Sequence, residues 1–254
     1  MKVVLITQDE PFFLAENIRF LLGAMPEGVE VVGCVLSAPS PFGRKESFLR
    51  KGLKTLRIFG IDFFLRYLLR FLRVILLKEP RVKNVLDDAG VQVIELDESI
   101  NANKSIDRIK ALAPDLLISI AGNEIFKRPL IDLAPLGCLN LHTALLPKYR
   151  GLMPSFWVLR FGEDETGVSV FFVDEGIDSG PIIIQRKVPI SGMSQQELIR
   201  KTKRIGMECV IEALIKIKEG NVETLPNEDE KQTYFGFPSR EDVISFRRAG
   251  AKFF

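Results

Sequence analysis

Apolar positions along the chain switch between strand-like and helix-like spacing. An apolar run at residues 3–6 is followed by helical spacing through Ile18, Leu21 and Leu22, and then by a β-branched run at residues 29–36. This β-α-β order is typical of a parallel sheet. The pattern therefore predicts an α/β fold with a mostly parallel sheet flanked by helices.

The same alternation continues toward the C-terminus. Further strands are predicted at residues 91–96, 115–120, 138–142, 167–173 and 182–188, and a helix near residues 106–112. Residues 116–120 are almost continuously apolar, which suits a strand buried on both faces. Ser194-Gln195-Gln196-Glu197 matches the capping box that opens a helix, and Gly220 is placed to end that helix.

The length of the chain predicts one large domain with an appendage. Its 254 residues lie near the upper limit of about 250–300 for a single core. We assign residues 1–190 to the main domain, with an insertion at about 44–83, and residues 191–254 to a C-terminal helix and a short tail. Because the tail is rich in Phe and Tyr, we expect it to pack back onto the body.

Composition indicates an ordinary globular protein, with 46% hydrophobic and 27% charged residues. Cys34, Cys138 and Cys209 are odd in number and form no C-x-x-C pair, which argues against a disulfide framework and for a reducing compartment. The N-terminal apolar run meets Asp9 and Glu10 too soon to hold the apolar segment of a signal peptide. A cytoplasmic location is therefore expected.

The charge is unevenly distributed. Between Arg44 and Lys83 there are twelve Lys/Arg and three Asp/Glu, a balance of +9 that leaves −7 for the remainder of a chain with net charge +2. Arg66, Arg70 and Arg73 fall at i, i+4 and i+7 and form one charged stripe of a basic amphipathic helix, with apolar residues on its other faces. These charges exclude a transmembrane span, which needs about 20 mostly apolar residues.

Several roles for this basic segment stay open. The helix could cover the sheet or contact a second copy in a dimer. It could instead bind a membrane surface, which would make the protein peripheral to the membrane, or bind RNA or phosphate.

Several kinds of site are excluded by missing motifs. The first glycine is Gly23, so no glycine-rich dinucleotide turn follows the first strand, and neither a P-loop nor a G-x-S-x-G elbow occurs. His142 is the only histidine, which leaves too few ligands for zinc. The spacing of Asp174, Gly176 and Asp178 is faintly similar to a calcium loop, but Gln185 stands where the bidentate Glu belongs. We predict no metal.

Polar side chains gather at the end of one predicted strand. Residues 138–142 alternate, so Asn140 and His142 project from the same face. The loop that follows lies past the carboxyl end of a strand, where open α/β sheets bind ligands. A second loop, residues 173–181, is dense in glycine and carboxylate and could place Asp178 beside the imidazole.

These residues resemble two signatures of the folate-dependent formyltransferase family, which includes methionyl-tRNA, glycinamide ribonucleotide and sugar-amine formyltransferases. Asn140-x-His142 with Leu145-Leu146-Pro147-x-Tyr149-Arg150-Gly151 is similar to the first signature. Asp174-Glu175-Gly176-x-Asp178-x-Gly180 is similar to the second. The resemblance covers residues 113–190 and, loosely, the first strands. It implies a formyltransferase-type Rossmann-like fold and makes residues 1–190 the catalytic domain.

The resemblance also implies roles for individual residues. Asn140, His142 and Asp178 would be the catalytic trio, and the co-substrate would be 10-formyltetrahydrofolate. The residues expected to bind this folate are Ile120, Gly122, Asn123, Glu124, Ile125, Val173, Asp174, Glu175 and Gly176. The expected substrate loop comprises Leu145, Pro147, Tyr149, Arg150 and Gly151.

The chemistry of formyl transfer suits these residue types. An amine that attacks a formyl carbon builds a tetrahedral oxyanion, which the Asn140 amide and protonated His142 could stabilise. Asp178 would keep His142 oriented and charged, so that His142 serves as the acid–base partner. Without the paired motifs, a structural histidine, a loop-capping asparagine and a turn-forming aspartate would be the simpler readings.

The acceptor is less clearly indicated. The first strand ends at Thr7-Gln8-Asp9-Glu10-Pro11 rather than in the glycine-serine loop with which glycinamide ribonucleotide formyltransferases hold phosphate. The acidic pair could favour a cationic amine or be a solvated turn. The residues after Pro189 are fewer than the C-terminal barrel of methionyl-tRNA formyltransferases requires, which weakens tRNA as the acceptor.

Three functions therefore remain open. The first is formyl transfer to a small or sugar-linked amine, or to aminoacyl-tRNA. The second is hydrolysis of 10-formyltetrahydrofolate, although the regulatory domain that usually precedes the related deformylase is not part of this sequence. The third is a membrane or nucleic-acid binding module with a relict site.

Overall fold

The strands and helices follow the predicted β-α-β order. A computed structural model describes residues 1–39, 48–190 and 192–254. The strands are β1 (Lys2–Gln8), β2 (Glu30–Ser37), β3 (Val93–Ile94), β4 (Leu116–Ile120), β5 (Cys138–His142), β6 (Arg150–Gly151), β7 (Glu165–Phe172), β8 (Ile182–Pro189) and β9 (Tyr234–Phe235). The helices are α1 (Leu14–Gly23), α2 (Phe48–Phe59), α3 (Ile61–Leu76), α4 (Val82–Asp88), α5 (Asn103–Lys110), α6 (Arg128–Ile131), α7 (Pro154–Arg160), α8 (Gln195–Lys218) and α9 (Arg240–Arg248).

The main sheet has the strand order β3-β2-β1-β4-β5-β7-β8. Neighbours from β3 through β5 are parallel, whereas β7 runs antiparallel to both β5 and β8. This arrangement confirms the predicted α/β class with a mostly parallel sheet. Because β1, β4 and β5 are parallel, their carboxyl ends meet at one edge of the sheet, where the loops after them lie.

Helices cover both faces of the sheet. All five residues of β4 are buried, since α1, α4 and α8 pack on one face and α5 and α6 on the other. The long helix α8 begins at the predicted cap, where the Ser194 hydroxyl accepts from the Glu197 N–H and the Glu197 carboxylate accepts from the Ser194 N–H. Gly206 lets α8 approach β5, because a Cβ there would lie 2.8 Å from Leu141 Cδ2.

Two predicted elements differ in extent from those observed. The strand expected at residues 91–96 is reduced to Val93–Ile94, since it pairs only with β2 at the edge of the sheet. The helix expected at residues 106–112 is α5, which ends at Lys110. Ala113 has a φ of +45° and precedes Pro114, and a residue before proline is disfavoured in the helical region.

The basic insertion folds as two helices where one was predicted. Gly60, at a φ of +88°, separates α2 from α3 and allows a sharp turn between them. We call residues 48–76 the α2–α3 hairpin. Arg44, at the start of the predicted segment, lies outside the described residues. No helix in the described part of the chain combines the length and the hydropathy needed to cross a bilayer.

The predicted arginine stripe is partly packed on the body, because Arg70 is half-buried whereas Arg66 and Arg73 remain exposed. The Arg70 guanidinium packs over the rings of Phe12 and Phe13, at 4.4 and 4.3 Å from their centroids. Arg66 lies 5.7 Å from the Phe254 ring centroid, and Arg73 pairs with Glu79. Tertiary packing thus places the Arg70 and Arg66 guanidinium groups over aromatic rings of the body.

The C-terminal tail returns to the body in two places. Strand β9 pairs with β6, next to the loop that follows β5. Phe246 and Phe253 stack on Phe156 in a buried aromatic cluster that also contains Phe59 of the hairpin. One hydrophobic core contains residues from both sides of position 190, including several of α8, so the division of the chain at that point stays a prediction.

Candidate functional site

Three predicted side chains converge at the carboxyl end of β5. The Asn140 Nδ2 atom lies 3.4 Å from Asp178 Oδ1, and the His142 Nδ1 atom lies 3.6 Å from Asp178 Oδ2. Asp178 Oδ2 also accepts a hydrogen bond of 2.8 Å from the Gly151 backbone N–H. The side chains of His142 and Asp178 are only 8% and 12% exposed. The carboxylate is therefore shared by three segments of the chain.

The loop between β7 and β8 is shaped to present Asp178. The Asp174 carboxylate accepts from the Gly176 N–H at 3.0 Å and from the Ser179 hydroxyl at 2.5 Å, which closes the turn. Gly180 is required where the loop passes β7, because a Cβ there would lie 1.8 Å from the Phe172 carbonyl oxygen. Asp178 itself has a φ of +50°, a left-handed conformation that Asp tolerates better than most residues.

The second ring nitrogen of His142 is also engaged. Nε2 lies 2.7 Å from the Tyr149 carbonyl oxygen. A carbonyl oxygen only accepts, so Nε2 carries the hydrogen and Nδ1 faces the Asp178 carboxylate. In the doubly protonated form both ring N–H groups have an acceptor in front of them. The arrangement is thus suited to an imidazolium during proton transfer.

The loop after β5 is held by the C-terminal tail. Arg150 is only 3% exposed, and its guanidinium donates to Asp229 Oδ1 at 2.7 Å, to Gln232 Oε1 at 2.8 Å and to Asn227 Oδ1 at 3.0 Å. The Tyr149 hydroxyl donates to Glu163 at 2.5 Å, and burial together with this carboxylate raises the pKa of Tyr149. Arg150, expected in the substrate loop, is therefore a structural anchor in this structure.

Asn227 braces the Asp178 loop from the same tail. Its Nδ2 donates to the carbonyl oxygens of Asp178 and Gly180, both at 2.9 Å. No pattern in the sequence pointed to this residue, because Asn227 lies in no motif and about fifty positions after Asp178. The site is thus completed by a segment that sequence analysis assigned only to packing.

A cavity of about 480 Å³ opens beside Asn140 and Asp178. Of the residues expected to bind folate, those that line it are Gly122, Asn123, Glu124, Ile125, Val173, Asp174 and Gly176. Of the expected substrate loop, Gly151 lines it. The lining also includes residues that sequence analysis missed, namely Ser119, Phe126, Leu152, Met153, Phe171, Ile177 and Phe237, and Lys51, Lys54, Thr55 and Tyr67 of the hairpin.

The remaining predicted site residues do not line this cavity. His142 is buried next to Asp178, Ile120 is buried at the end of β4, and Glu175 is exposed. Leu145 packs under Gly167, where an added Cβ would lie 2.2 Å from Leu145 Cδ2. Pro147 is half-buried within the loop.

The acidic pair after β1 has structural partners. The Glu10 carboxylate accepts from the backbone N–H groups of Phe12, Phe13 and Leu14 and so caps α1. Asp9 forms an ion pair with Arg81 at 2.8 Å. Both carboxylates therefore have structural roles, and attraction of a cationic amine by this pair stays a prediction.

The cysteines are packed rather than reactive. Burial raises the pKa of the Cys34 and Cys138 thiols to about 12 and that of Cys209 to about 11. A thiol with such a pKa is neutral at physiological pH and is a poor nucleophile. Among the described residues, no group of His, Cys, Asp and Glu is arranged to hold a metal ion.

Comparisons with known proteins identify relatives of this chain. A family model described as formyl transferase matches residues 79–214. The methionyl-tRNA formyltransferase of Kosmotoga olearia is 38% identical over 164 residues, which are 64% of this chain and 52% of that protein. The methionyl-tRNA formyltransferase of Synechococcus sp. strain JA-2-3B'a(2-13) is 30% identical over 235 residues, 91% of this chain and 63% of that protein. The chain spans about half the length of the curated relatives it matches.

Solved structures share the fold. Glycinamide ribonucleotide transformylase 1 from Symbiobacterium toebii superposes with a TM-score of 0.61 at 20% identity, over 89% of this chain and 94% of that chain. A sugar N-formyltransferase from a Shewanella species gives a TM-score of 0.60 at 18% identity, over 98% of this chain and 88% of that chain. At these identities the likeness extends to the fold alone.

Replacing Arg150 by Met should destabilise the protein by about 2–3 kcal/mol, because several charge-assisted or neutral hydrogen bonds are lost in a buried place. Urea unfolding measures this change. Arg128→Met is the matched control, since Arg128 is 64% exposed and pairs with Asp132 one helical turn away. The control substitution should lower the free energy of unfolding by about 0.5 kcal/mol or less. Equal effects of the two substitutions would contradict the anchoring role of Arg150.

Proposed function

The chain belongs to the formyl transferase family, and on that premise we propose that it transfers a formyl group from 10-formyltetrahydrofolate to a primary amine. The observation that carries this proposal is the convergence of Asn140, His142 and Asp178 beside a cavity at the carboxyl edge of the sheet. Carboxamide, imidazole and carboxylate are together the groups that acyl transfer between two amines requires.

In the proposed reaction, the acceptor nitrogen attacks the formyl carbon and a tetrahedral oxyanion forms. The Asn140 amide faces the cavity and donates to this oxyanion, a contribution of about 10²–10³ in rate for one such donor. The bond between the formyl carbon and the folate N10 atom then breaks. The proton lost by the acceptor amine is delivered to N10, so that tetrahydrofolate leaves neutral at that nitrogen.

His142 moves this proton in the proposal. Its Nδ1 faces the Asp178 carboxylate and its Nε2 is held by the Tyr149 carbonyl oxygen, which fixes the ring plane. Since His142 is buried next to Asp178, we assign the contact with the reacting atoms to its Nδ1 edge, next to the carboxylate. Asp178 stabilises the imidazolium and positions the ring.

The cavity supports the assignment of the folate. Its volume of about 480 Å³ falls within the usual range of about 300–1,000 Å³ for small-molecule sites. Apolar side chains such as Ile125, Phe126 and Val173 line it together with polar backbone loops, which suits a flat aromatic ring with hydrogen-bonding edges. Two solved relatives are described as bound to 5-N-formyl-tetrahydrofolate or to tetrahydrofolic acid, and we extend that ligand class to this chain.

The acceptor is proposed only as a primary amine on a small or sugar-linked molecule, with aminoacyl-tRNA as the alternative. The curated relatives are named methionyl-tRNA formyltransferase, which favours tRNA. Structural neighbours described as sugar formyltransferases match 98% and 92% of this chain, which favours the sugar-linked amine. A cytoplasmic location stays a prediction.

Substitution of the trio tests the proposal. Asn140→Ala and His142→Ala should each lower kcat/KM for formyl transfer by about 10²–10⁴, because an oxyanion donor or a proton carrier is lost. The measurement incubates the purified protein with 10-formyltetrahydrofolate and a panel of amines and quantifies formylated product and free formate. Asp132→Asn, at an exposed position after α6 that does not line the cavity, is the control and should leave the rate unchanged.

The outcomes of this assay separate the candidate functions. Formylated amine in the wild-type reaction supports the transferase. Release of formate without a formylated product would replace it by a hydrolase, and inertness toward the folate would overturn both.

Filling the cavity should weaken folate binding. Gly122 lines the cavity, and an added Cβ would lie 2.6 Å from Ser119 Oγ, so Gly122→Val should weaken binding of 5-formyltetrahydrofolate by about tenfold or more. Isothermal titration calorimetry measures the affinity. Glu175→Gln, in the neighbouring loop but outside the cavity lining, should bind normally. If Glu175→Gln weakened binding and Gly122→Val did not, the folate would bind at a surface other than this cavity, which would contradict the proposal.

A further inference from the structure

Helix α3 exposes its apolar side to solvent. Residues at spacings of three and four along the helix lie on one face. Those with exposed large apolar side chains on this face of α3 are Ile61, Leu65, Leu69, Leu72 and Leu76, which we call the apolar stripe. Leu69 and Leu76 are 67% and 77% exposed. The stripe runs about 22 Å along the helix at 1.5 Å per residue.

The hairpin is held on the body by its other faces. Phe63 of α3 packs on Phe253, and Arg70 packs on Phe12 and Phe13. Asp62 at the start of α3 pairs with Arg247 of α9 at 2.9 Å. Helix α2 covers a further side, where Gly52 faces the Phe64 ring. The apolar stripe is therefore not needed for packing of the described residues, and continuous exposed apolar surface of this kind usually marks a binding surface.

The surroundings of the stripe are basic. Residues 48–79 contain eight Lys/Arg and only two Asp/Glu. Both acidic side chains, Asp62 and Glu79, are already paired with arginines. Exposed basic side chains of the hairpin include Arg57, Arg66 and Arg73. The surface thus combines apolar side chains, whose burial away from water is favourable, with a positive charge that attracts an anionic partner.

From this combination we propose that the α2–α3 hairpin docks the protein on an anionic lipid bilayer, with the apolar stripe inserted among the headgroups and the basic side chains against the lipid phosphates. Amphipathic helices of this composition lie in the plane of the interface and bury their apolar face about 5–10 Å deep. A span is not involved, since no helix of the described chain is suited to cross a membrane.

Charge argues for lipid rather than for a second copy of the chain. A two-fold contact through the stripe would place one strongly basic hairpin against another, and like charges within a Debye length of about 8–10 Å repel. An anionic bilayer instead attracts each basic residue near its surface, by about fivefold in affinity per residue.

Docking through the hairpin would hold the candidate site near the lipid surface. The same hairpin contributes Lys51, Lys54, Thr55 and Tyr67 to the lining of the cavity beside Asn140 and Asp178. The opposite side of α3 carries the apolar stripe. The hairpin would then lie between the bilayer and the cavity, one helix diameter or about 10–12 Å thick. Presentation of an acceptor amine near the membrane is a consequence that rests on the proposed formyl transfer, whereas the docking itself does not.

Vesicle flotation tests the docking. The full chain is mixed with vesicles of phosphatidylcholine alone or with about 30% phosphatidylglycerol, an anionic fraction large enough to give a negative surface potential. We expect the protein to float with the anionic vesicles, to bind neutral vesicles weakly, and to be released by high salt.

Two variants separate the apolar and the basic contributions. Leu69→Glu/Leu76→Glu should lower the bound fraction on anionic vesicles by about tenfold or more. The variant loses two leucines that the bilayer would bury, and it gains two negative charges that the anionic lipid repels. Arg57→Gln/Arg73→Gln should lower it by a comparable factor at low salt but not change the residual binding at high salt. Ile215→Glu, at an exposed apolar position of α8, is the matched control and should float like the wild type.

Several results would overturn the proposal. These are failure of the wild type to float with anionic vesicles, equal loss of flotation in Ile215→Glu, or a dimer in sedimentation that Leu69→Glu/Leu76→Glu abolishes while vesicle binding is absent. Tight binding of RNA by the wild type without flotation would also overturn it. Each variant must unfold at the wild-type temperature, and because flotation needs no catalysis, failure of docking is distinguishable from failure of the proposed function.

Discussion

A single nearly buried carboxylate joins the segments that form the site. Asp178 accepts a hydrogen bond from the Gly151 N–H at 2.8 Å and lies within 3.4–3.6 Å of Asn140 and His142. An ionised carboxylate removed from water is stable only with such partners. The strand end, the loop after it and the loop between β7 and β8 must therefore keep their relative positions, and the shape of the cavity beside Asn140 and Asp178 follows from this constraint.

The rest of the fold maintains that constraint. Parallel pairing of β4 with β5 places Asn140 at the same edge as the loop that lines the cavity. The C-terminal tail holds both flanking loops, through Asn227 on the carbonyl oxygens of Asp178 and Gly180 and through the guanidinium of Arg150. The tail thus acts as a brace for the site as well as a cover for the aromatic cluster.

Local signals in the sequence predicted the sheet, the capped helix α8 and the neighbourhood of Asn140, His142 and Asp178, because strand alternation and short motifs depend on nearby residues. They did not predict Asn227 or the hairpin side of the cavity, which depend on contacts between distant segments. The packing of α3 on the body was not predicted for a related reason. Periodicity shows that a helix has two faces, but only packing decides which face meets the body, and Phe12 and Phe13 hold Arg70 there.

The central claim is that His142 and Asp178 act as one unit on a reaction at the Asn140 end of β5. Kinetic constants of His142→Ala, Asp178→Asn and the double variant measure this most directly. If the carboxylate works through the imidazole, the double variant should be no slower than the slower single variant. Multiplication of the two single effects in the double variant would contradict the account, because the two side chains would then act independently.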